Sequence, residues 1–216
     1  MNLFDIENGY QRISYHDAVK FLLPRHYSGR TPNIKYAFGE YRDNELIAVY
    51  TFGKPASPSL CVGICGEEFS QSIYELNRLC RVDDYNSQLS RFVGYCLKEL
   101  KKYNLIIVSY SDTAMNHHGY IYQACNFLYT GMTESRTDKY TADGKHSRHY
   151  KDSEQRGQRK VRSAKYRYVY ICGDKRFRKS VLRNLKYPIM GKYPKGNNSN
   201  YILGTYLKDK TIPSLK

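Results

Sequence analysis

SIYELNRLCRVDDYNSQLSRFVGYCLKELKKYNLIIVSYSD, residues Ser72 to Asp112, carries three periodicities in succession. From Ser72 to Val82 the pattern alternates. Ile73, Glu75, Asn77, Leu79 and Arg81 point one way, and Tyr74, Leu76, Arg78, Cys80 and Val82 the other, which predicts a strand. From about Ser87 to Tyr103 the apolar residues Leu89, Phe92, Val93, Cys96, Leu97 and Leu100 fall on one helical face. NLIIVSYS then reads as a buried strand. A strand–helix–strand unit of this length joins two parallel neighbours by a right-handed crossover.

Working outward, SYHDAVKFLLP predicts a short helix, capped by Ser14 and Asp17 and ended by Pro24, with Ala18, Phe21 and Leu22 inward. KYAFGEYRDNELIAVYTFG predicts a hairpin turning near Asp43 and Asn44. SLCVGIC reads as a third short strand, HHGYIYQACN as a short helix and FLYTGM as a strand. RYVYICG predicts a further strand, followed by a helix near Arg176 to Lys186, and the Pro/Gly/Asn-rich tail from Tyr193 predicts irregular chain. The sequence holds no internal repeat. These elements predict an α/β (α+β) fold, a mixed central sheet flanked by helices. Residues 1–140 form the core, and 141–216 a basic region that adds a final strand and helix to the same domain. The order resembles the GNAT acyltransferase fold, in which two central parallel strands splay apart and cofactor and acceptor amine meet between them.

The 216 residues are 41% hydrophobic, enough for a sizeable core. No run approaches the ~20 apolar residues of a membrane-spanning helix. The N-terminus lacks the basic-then-apolar layout of a secretory signal. Six cysteines, at 61, 65, 80, 96, 125 and 172, are scattered without a CxxC pair and predict reduced core residues. The formal net charge of +15 is localised: Lys145–Lys195 holds 17 basic and 3 acidic residues, and the remainder 18 and 17. A near-neutral body with one basic block predicts a polyanionic partner, nucleic acid before an anionic membrane, because aromatic residues interleave the cations and the chain has no Trp.

Candidate chemistry clusters in SYSDTAMNHHGYIYQACNFLYTG, Ser109–Gly131. Asp112 closes a strand at its C-terminal end, where open α/β sheets bind ligands, and reads as a proton acceptor, a cation ligand or a cap. Of the adjacent His117 and His118, only one can face a given ligand, and His118 is the stronger candidate because Gly119 permits close approach. Tyr122 reads as a proton donor or as a buried helix tyrosine. PRHYSGRTP, Pro24–Pro32, offers His26 as a base, a metal ligand or a surface histidine. No zinc spacing occurs. Fe(II) held by His26, Tyr27 or Asp112 is the metal option. After Arg81 the glycine-rich phosphate loop of many GNAT enzymes is missing; Asn86, Ser87, Ser90 and Arg91 remain to bind an anion or cap the helix.

HYSGR (His26–Arg30), ELNRLCRVDDYNSQLSRF (Glu75–Phe92), VSYSDTAMNHHGYIYQACNFLYTG (Val108–Gly131) and the basic stretch ending near YPK (Tyr193–Lys195) together resemble the phage Mom family, over about Leu22–Lys195. The resemblance implies a phage-encoded, GNAT-like DNA-modification enzyme in the host bacterial cytoplasm. It implies conversion of adenine to N6-carbamoylmethyladenine, which protects the DNA from restriction endonucleases. It carries over His26, Tyr27, Arg78, Arg81, Ser87, Ser90, Asp112, His118 and Tyr122 as site residues. The basic block then supplies the DNA contacts: Lys145, Arg148, Arg156, Arg159, Lys160, Arg162, Lys165 and Arg167. Tyr120, Tyr122, Gln123 and Asn126 are candidates to hold a flipped base. Asp112 is expected to remove the N6 proton, and Tyr122 to donate one to a leaving group or intermediate. The product is an alkylated amine, so the donor stays open between acetyl-CoA and a glycine-derived, small or carrier-bound donor. The rival readings are a conventional acetyl-CoA N-acetyltransferase of a protein or tRNA amine, and a non-enzymatic nucleic-acid-binding protein.

Overall fold

The computed structural model describes residues 8–26, 28–82, 88–140, 158–197 and 211–213. A seven-stranded sheet carries the fold. Its strands are β1 (Asn8–Arg12), β2 (Tyr36–Arg42), β3 (Glu45–Gly53), β4 (Ile73–Arg81), β5 (Leu105–Asp112), β6 (Leu128–Met132) and β9 (Lys165–Cys172), in the spatial order β1-β2-β3-β4-β5-β9-β6. Only β4 and β5 are parallel; every other pair in this sheet is antiparallel. The last of the seven strands in sequence is inserted between β5 and β6.

Helices cover both faces. On one, α3 (Leu89–Leu100) and α4 (Tyr120–Ala124) bury Phe92, Val93, Cys96, Leu97, Leu100 and Tyr122 against Phe38, Tyr50, Phe52 and Ile107 of the sheet. On the other, α1 (Tyr15–Leu22) packs on Val49 and Cys80, and α2 (Pro58–Cys65) and α5 (Lys175–Asn184) pack on Ile73, Ile106 and Val169. The α1 helix starts where Ser14 accepts a hydrogen bond from the Asp17 amide, with Ala18, Phe21 and Leu22 buried. The β2–β3 hairpin turns through Asp43 (φ 49°) and Asn44 (φ 63°), residue types that tolerate left-handed backbone.

The SLCVGIC segment expected as a strand is instead helix α2. Pro58 at its first turn is pre-set for a helix, and a short apolar run alone does not separate the two states. The tail expected to be irregular contributes β10 (Thr211–Pro213). β10 joins β7 (Arg136–Lys139) and β8 (Gln158–Arg162) in a second, three-stranded antiparallel sheet of order β10-β8-β7. All six cysteines are free; Cys65, Cys80, Cys96 and Cys172 are buried, and Cys61 and Cys125 half-buried.

The strict alternation expected along β4 breaks at Asn77. Thr51 pairs with Arg78 and Phe52 with Leu76, so Asn77 is an extra residue, a β-bulge. Leu76 and Leu79 consequently share the α3 face, and Arg78 and Cys80 share the other. The Asn77 side chain fixes the bulge: its Oδ1 accepts from Thr51 Oγ1 at 2.7 Å, and its Nδ2 donates to the Asn33 carbonyl at 2.8 Å. Strands β4 and β5 pair only over Ile73–Glu75 and Ile106–Val108. Beyond that, the Ser109 hydroxyl reaches the Leu76 carbonyl at 3.1 Å and the two strands part, leaving a gap toward their C-terminal ends.

Asn77→Ala strands the buried Thr51 hydroxyl, a loss costing about 1–3 kcal/mol, and leaves the exposed Asn33 carbonyl to water. Urea unfolding is expected to show a drop of about 1–3 kcal/mol with an unchanged m-value. A loss below about 0.5 kcal/mol would mean the side chain does not hold the bulge.

Candidate active site and nucleic-acid interface

The gap divides the candidate residues between two faces. On the α1 face lie His26, Glu75, Arg78, Tyr110, Asp112 and His117. His26 is 8% exposed, just after α1, and its Nδ1 accepts from the Ser28 amide at 3.1 Å with Ser28 Oγ at 2.9 Å. Both contacts fall on Nδ1, so the neutral ring carries its proton on Nε2. Burial, then the Arg78 and His117 charges, push the imidazole down to about 3. Arg78 donates to the Asn77 carbonyl at 2.6 Å and toward the Arg30 carbonyl at 3.5 Å, tying the 26–30 loop to the bulge.

Asp112 ends β5. Its Oδ1 accepts from the Ala114 amide at 3.0 Å and the Ser163 hydroxyl at 2.5 Å, and its Oδ2 pairs with Lys165 Nζ at 2.5 Å. Burial raises this carboxyl, but the hydrogen bonds from Lys165 and Ser163 and the Lys165 charge outweigh it and hold it below the ordinary aspartate value. Both oxygens are therefore engaged. Glu75 is the contrasting carboxyl, one strand away. Burial raises it above the ordinary glutamate value, opposed by the Arg78 and Lys165 charges. Two carboxyls on one face with opposite shifts separate an acid–base role from a charge-holding role. Glu75 and His117 were not singled out as site residues in the sequence. Glu75 sits in the alternating pattern as one more polar strand residue. His117, rather than His118, faces the cluster: its backbone N–H donates to the Asp112 carbonyl at 3.1 Å, and its ring interacts electrostatically with Asp112 and His26.

His118 lies elsewhere. Its ring stacks on Tyr166 (5.8 Å between centroids) and lies 6.1 Å from that of Tyr120, and its carbonyl accepts from the Tyr168 hydroxyl and from Gln123 Nε2. Gly119, with φ of 74°, does allow a close approach, but to Tyr168: a Cβ there would meet that ring at 2.5 Å. Tyr122 packs its ring against Phe127 and Tyr168 on the α3 face, so Asp112 and Tyr122 flank the gap from opposite sides of the sheet. Gln123 also donates to the Tyr168 hydroxyl and the Pro194 carbonyl.

The α3 face holds Arg81, Ser90 and Arg91 as well. Arg81 acts electrostatically on the buried Glu40, and Arg91 on Tyr10, so both cations lie by the C-terminal end of β4 and the start of α3. The Ser90 carbonyl accepts from Cys125 Sγ. The Tyr50 hydroxyl is fully buried there without a hydrogen-bond partner among the described residues. An orphan donor beside Tyr122 fits a polar atom of a donor molecule entering the gap. A metal fits less well. Among the described residues no three His, Cys, Asp or Glu side chains converge to hold one, and Asp112 is already committed to Lys165 and Ser163. Fe(II) coordination by His26 and Asp112 is therefore not supported. Tyr27, Asn86, Ser87, Lys145, Arg148 and Arg156 lie outside the described residues.

The basic strands form an arm beside this site. Arg159 donates to the Thr137 hydroxyl at 2.7 Å and carbonyl at 3.0 Å, and Arg162 pairs with Asp138 at 2.5 Å. Lys160 lies between them, half-buried. Arg167 is only 9% exposed; its guanidinium donates to Thr130 and lies 3.4 Å from the Tyr187 ring centroid, so it braces β9 against β6. The arm is rooted on the site. Ser163, in the link from β8 to β9, and Lys165, the first residue of β9, both donate to Asp112, and the Ala164 carbonyl accepts from Thr113 Oγ1 at 2.7 Å.

His26 gives a pH test. Its folded value lies below the unfolded 6.5, so between pH 6.5 and about 3 the unfolded chain takes up a proton that the folded chain refuses. Stability should fall on acidification through this window, by up to about 1.4 kcal/mol per pH unit from this group. In urea unfolding at successive pH values, His26→Gln should remove that component, so that the difference from the parent shrinks as pH drops. Parallel stability curves would mean His26 titrates normally.

Residues 9–195 match the model of the Mom protein family. Methylcarbamoylase mom of Escherichia phage Mu is 31% identical over 133 residues, covering 59% of this chain and 54% of that protein. The chain thus aligns with about half the length of this curated relative. Among solved structures, the ribosomal-protein-S18-alanine N-acetyltransferase of Escherichia coli is 13% identical, covering 77% of this chain and 95% of that one with a TM-score of 0.46. A probable acetyltransferase from Staphylococcus epidermidis is 10% identical, covering 76% and 98% with a TM-score of 0.48. The family match runs from β1 through the splayed strands and the arm to the segment beyond α5, and the chain belongs to the Mom protein family.

Proposed function

We propose that this protein modifies adenine in phage DNA in the host bacterial cytoplasm, placing a carbamoylmethyl group on N6 and so blocking restriction endonucleases. The observation that carries this reading is the attachment of the arm to the site. Ser163, just before β9, and Lys165, which opens it, sit at the foot of a cationic β-ribbon and hydrogen-bond the carboxylate at the mouth of the gap. A β-ribbon fits a DNA groove, and cations along it neutralise phosphate. The methylcarbamoylase of phage Mu, similar over part of the chain, supports the transferred group.

Adenine N6 is a weak nucleophile because its lone pair is delocalised into the ring, and it must be flipped out of the duplex to react. Glu75 is the group suited to take its proton. It is half-buried, its affinity for a proton is raised, and it lies on the acceptor face of the gap. Asp112 acts by holding Lys165, and with it the arm, in register with the gap. His26 stays neutral and donates or accepts hydrogen bonds without adding charge. On the other face, Tyr122 and the orphan Tyr50 hydroxyl would meet the donor, and Arg81 and Arg91 would meet its anionic part; acetyl-CoA and a glycine-derived donor both present such groups. The His118, Tyr120 and Tyr166 rings group together, with the Lys195–Gly196 segment laid against His118 and Tyr120.

The test is mass spectrometry of nucleosides from DNA of cells that express the protein. A deoxyadenosine heavier by one carbamoylmethyl in place of hydrogen is expected. Glu75→Gln should lower its yield by about 10²-fold or more, the scale of general-base catalysis, while duplex binding is kept. Asp112→Asn should weaken binding and modification together. Unmodified deoxyadenosine from a folded, DNA-binding protein would overturn the reading.

A further inference from the structure

A second cationic surface lies at the far end of the sheet from the gap. Strand β9 runs antiparallel to β5, with Lys165 opposite Asp112 and Cys172 opposite Leu105. The arm therefore leaves β9 at the gap end, and α5 begins at the other, about 25 Å away for eight extended residues. A groove of about 590 Å³ runs along α3 from Ser90 and Cys125 to the end of β9 and the first turn of α5, and its cations gather at that last end, away from the gap. Leu97 and Tyr170 give it apolar wall, and Lys98, Lys101, Lys175 and Arg178 line it. All four cations are exposed, and none has an ion-pair partner among the described residues. The one carboxylate in the lining, Asp174, is spent capping α5 through the Phe177 amide at 2.7 Å.

The α5 helix extends this surface. Arg176, Lys179 and Arg183 are exposed on it, and Lys186 follows it. Lys175 to Lys186 spans about 16 Å at helical rise. Cations spread along a line suit a repeating anion better than one compact phosphate. Four unpaired cations lining one groove carry a repulsion that a run of phosphates relieves.

We propose that this groove and α5 form a second phosphate-contacting surface for the same duplex that the arm holds, so that one DNA molecule is gripped at both ends of β9. The inference rests on the DNA reading above and adds where the backbone is held. At 3.4 Å per base pair, the two surfaces lie about 7 base pairs apart.

The experiment compares the parent with the quadruple variant K98A/K101A/K175A/R178A, binding labelled hairpin duplexes with stems of roughly 5 and roughly 20 base pairs across a salt series. All four side chains are exposed, and thermal unfolding checks that the variant is folded. The parent should prefer the longer duplex. The variant should lose most of that preference, and on the longer duplex its log–log salt slope should be shallower by about 3 to 4. The triple variant K98R/K101R/K175R, with Arg178 kept, should keep the parent slope. Unchanged slope and affinity in the alanine variant would overturn the inference. So would intact DNA binding with lost binding of coenzyme A, which would assign the groove to a phosphate-bearing small molecule. A parent protein that binds no duplex at all would instead sink the DNA reading, and this inference with it.

Discussion

One amide side chain governs the site. Asn77 is the residue by which β4 exceeds β3, and its contacts to Thr51 and Asn33 hold the surplus in place. A sheet whose strands stay paired to their ends has no interior opening. Here the surplus residue resets which face each later side chain occupies. Arg78 is sent to the α1 face, where it meets His26 and Glu75, and Arg81 to the α3 face, near Glu40. Arg78 and Arg81, the candidate groups of β4 beyond Leu76, owe their side of the gap to that shift.

The two faces differ in electrostatic character. The α1 face gathers ionisable groups whose proton affinities are displaced in different directions: His26 and Asp112 down, Glu75 up. Burial dominates His26 and Glu75, and hydrogen bonds override it at Asp112. The α3 face is mostly aliphatic and aromatic, with the Tyr50 hydroxyl unpaired among the described residues and Arg81 and Arg91 at its rim. A polar acceptor side and an apolar donor side on either hand of one gap suit a transfer between two molecules that enter separately. Water is excluded more effectively from the second.

Much of the architecture was legible in local pattern. The crossover from β4 through α3 to β5, the α1 cap and the hairpin turn all depend on neighbours within a few residues, and such signals survive in a linear reading. What failed was non-local or ambiguous. Asn77 reads as an ordinary strand position because a bulge is defined by the partner strand's register. SLCVGIC is apolar in either state. The second sheet needs Thr211–Pro213 to meet Gln158–Lys160, some fifty residues apart, with no local mark of it. The site was legible as residue types but not as a division. Adjacent His117 and His118 look equivalent, and only the turn through Asn116 and Gly119 sends one toward Asp112 and the other toward Tyr166. Glu75 was invisible as a special carboxyl because its burial is created by strands and cations distant in sequence.

The place of β9 in the sheet has a consequence for how the molecule is made. β5 and β6 emerge from the ribosome before β9, and neither has its permanent neighbour on the facing side until Cys172 has been synthesised. Two apolar strand edges must wait through the whole of the arm, a long-range closure of the kind that folds slowly and exposes aggregation-prone edges. The segment richest in positive charge is thus also the last structural piece of the core. Clipping within it would leave an open sheet rather than a trimmed enzyme, and selection on the nucleic-acid surface cannot act independently of selection on folding.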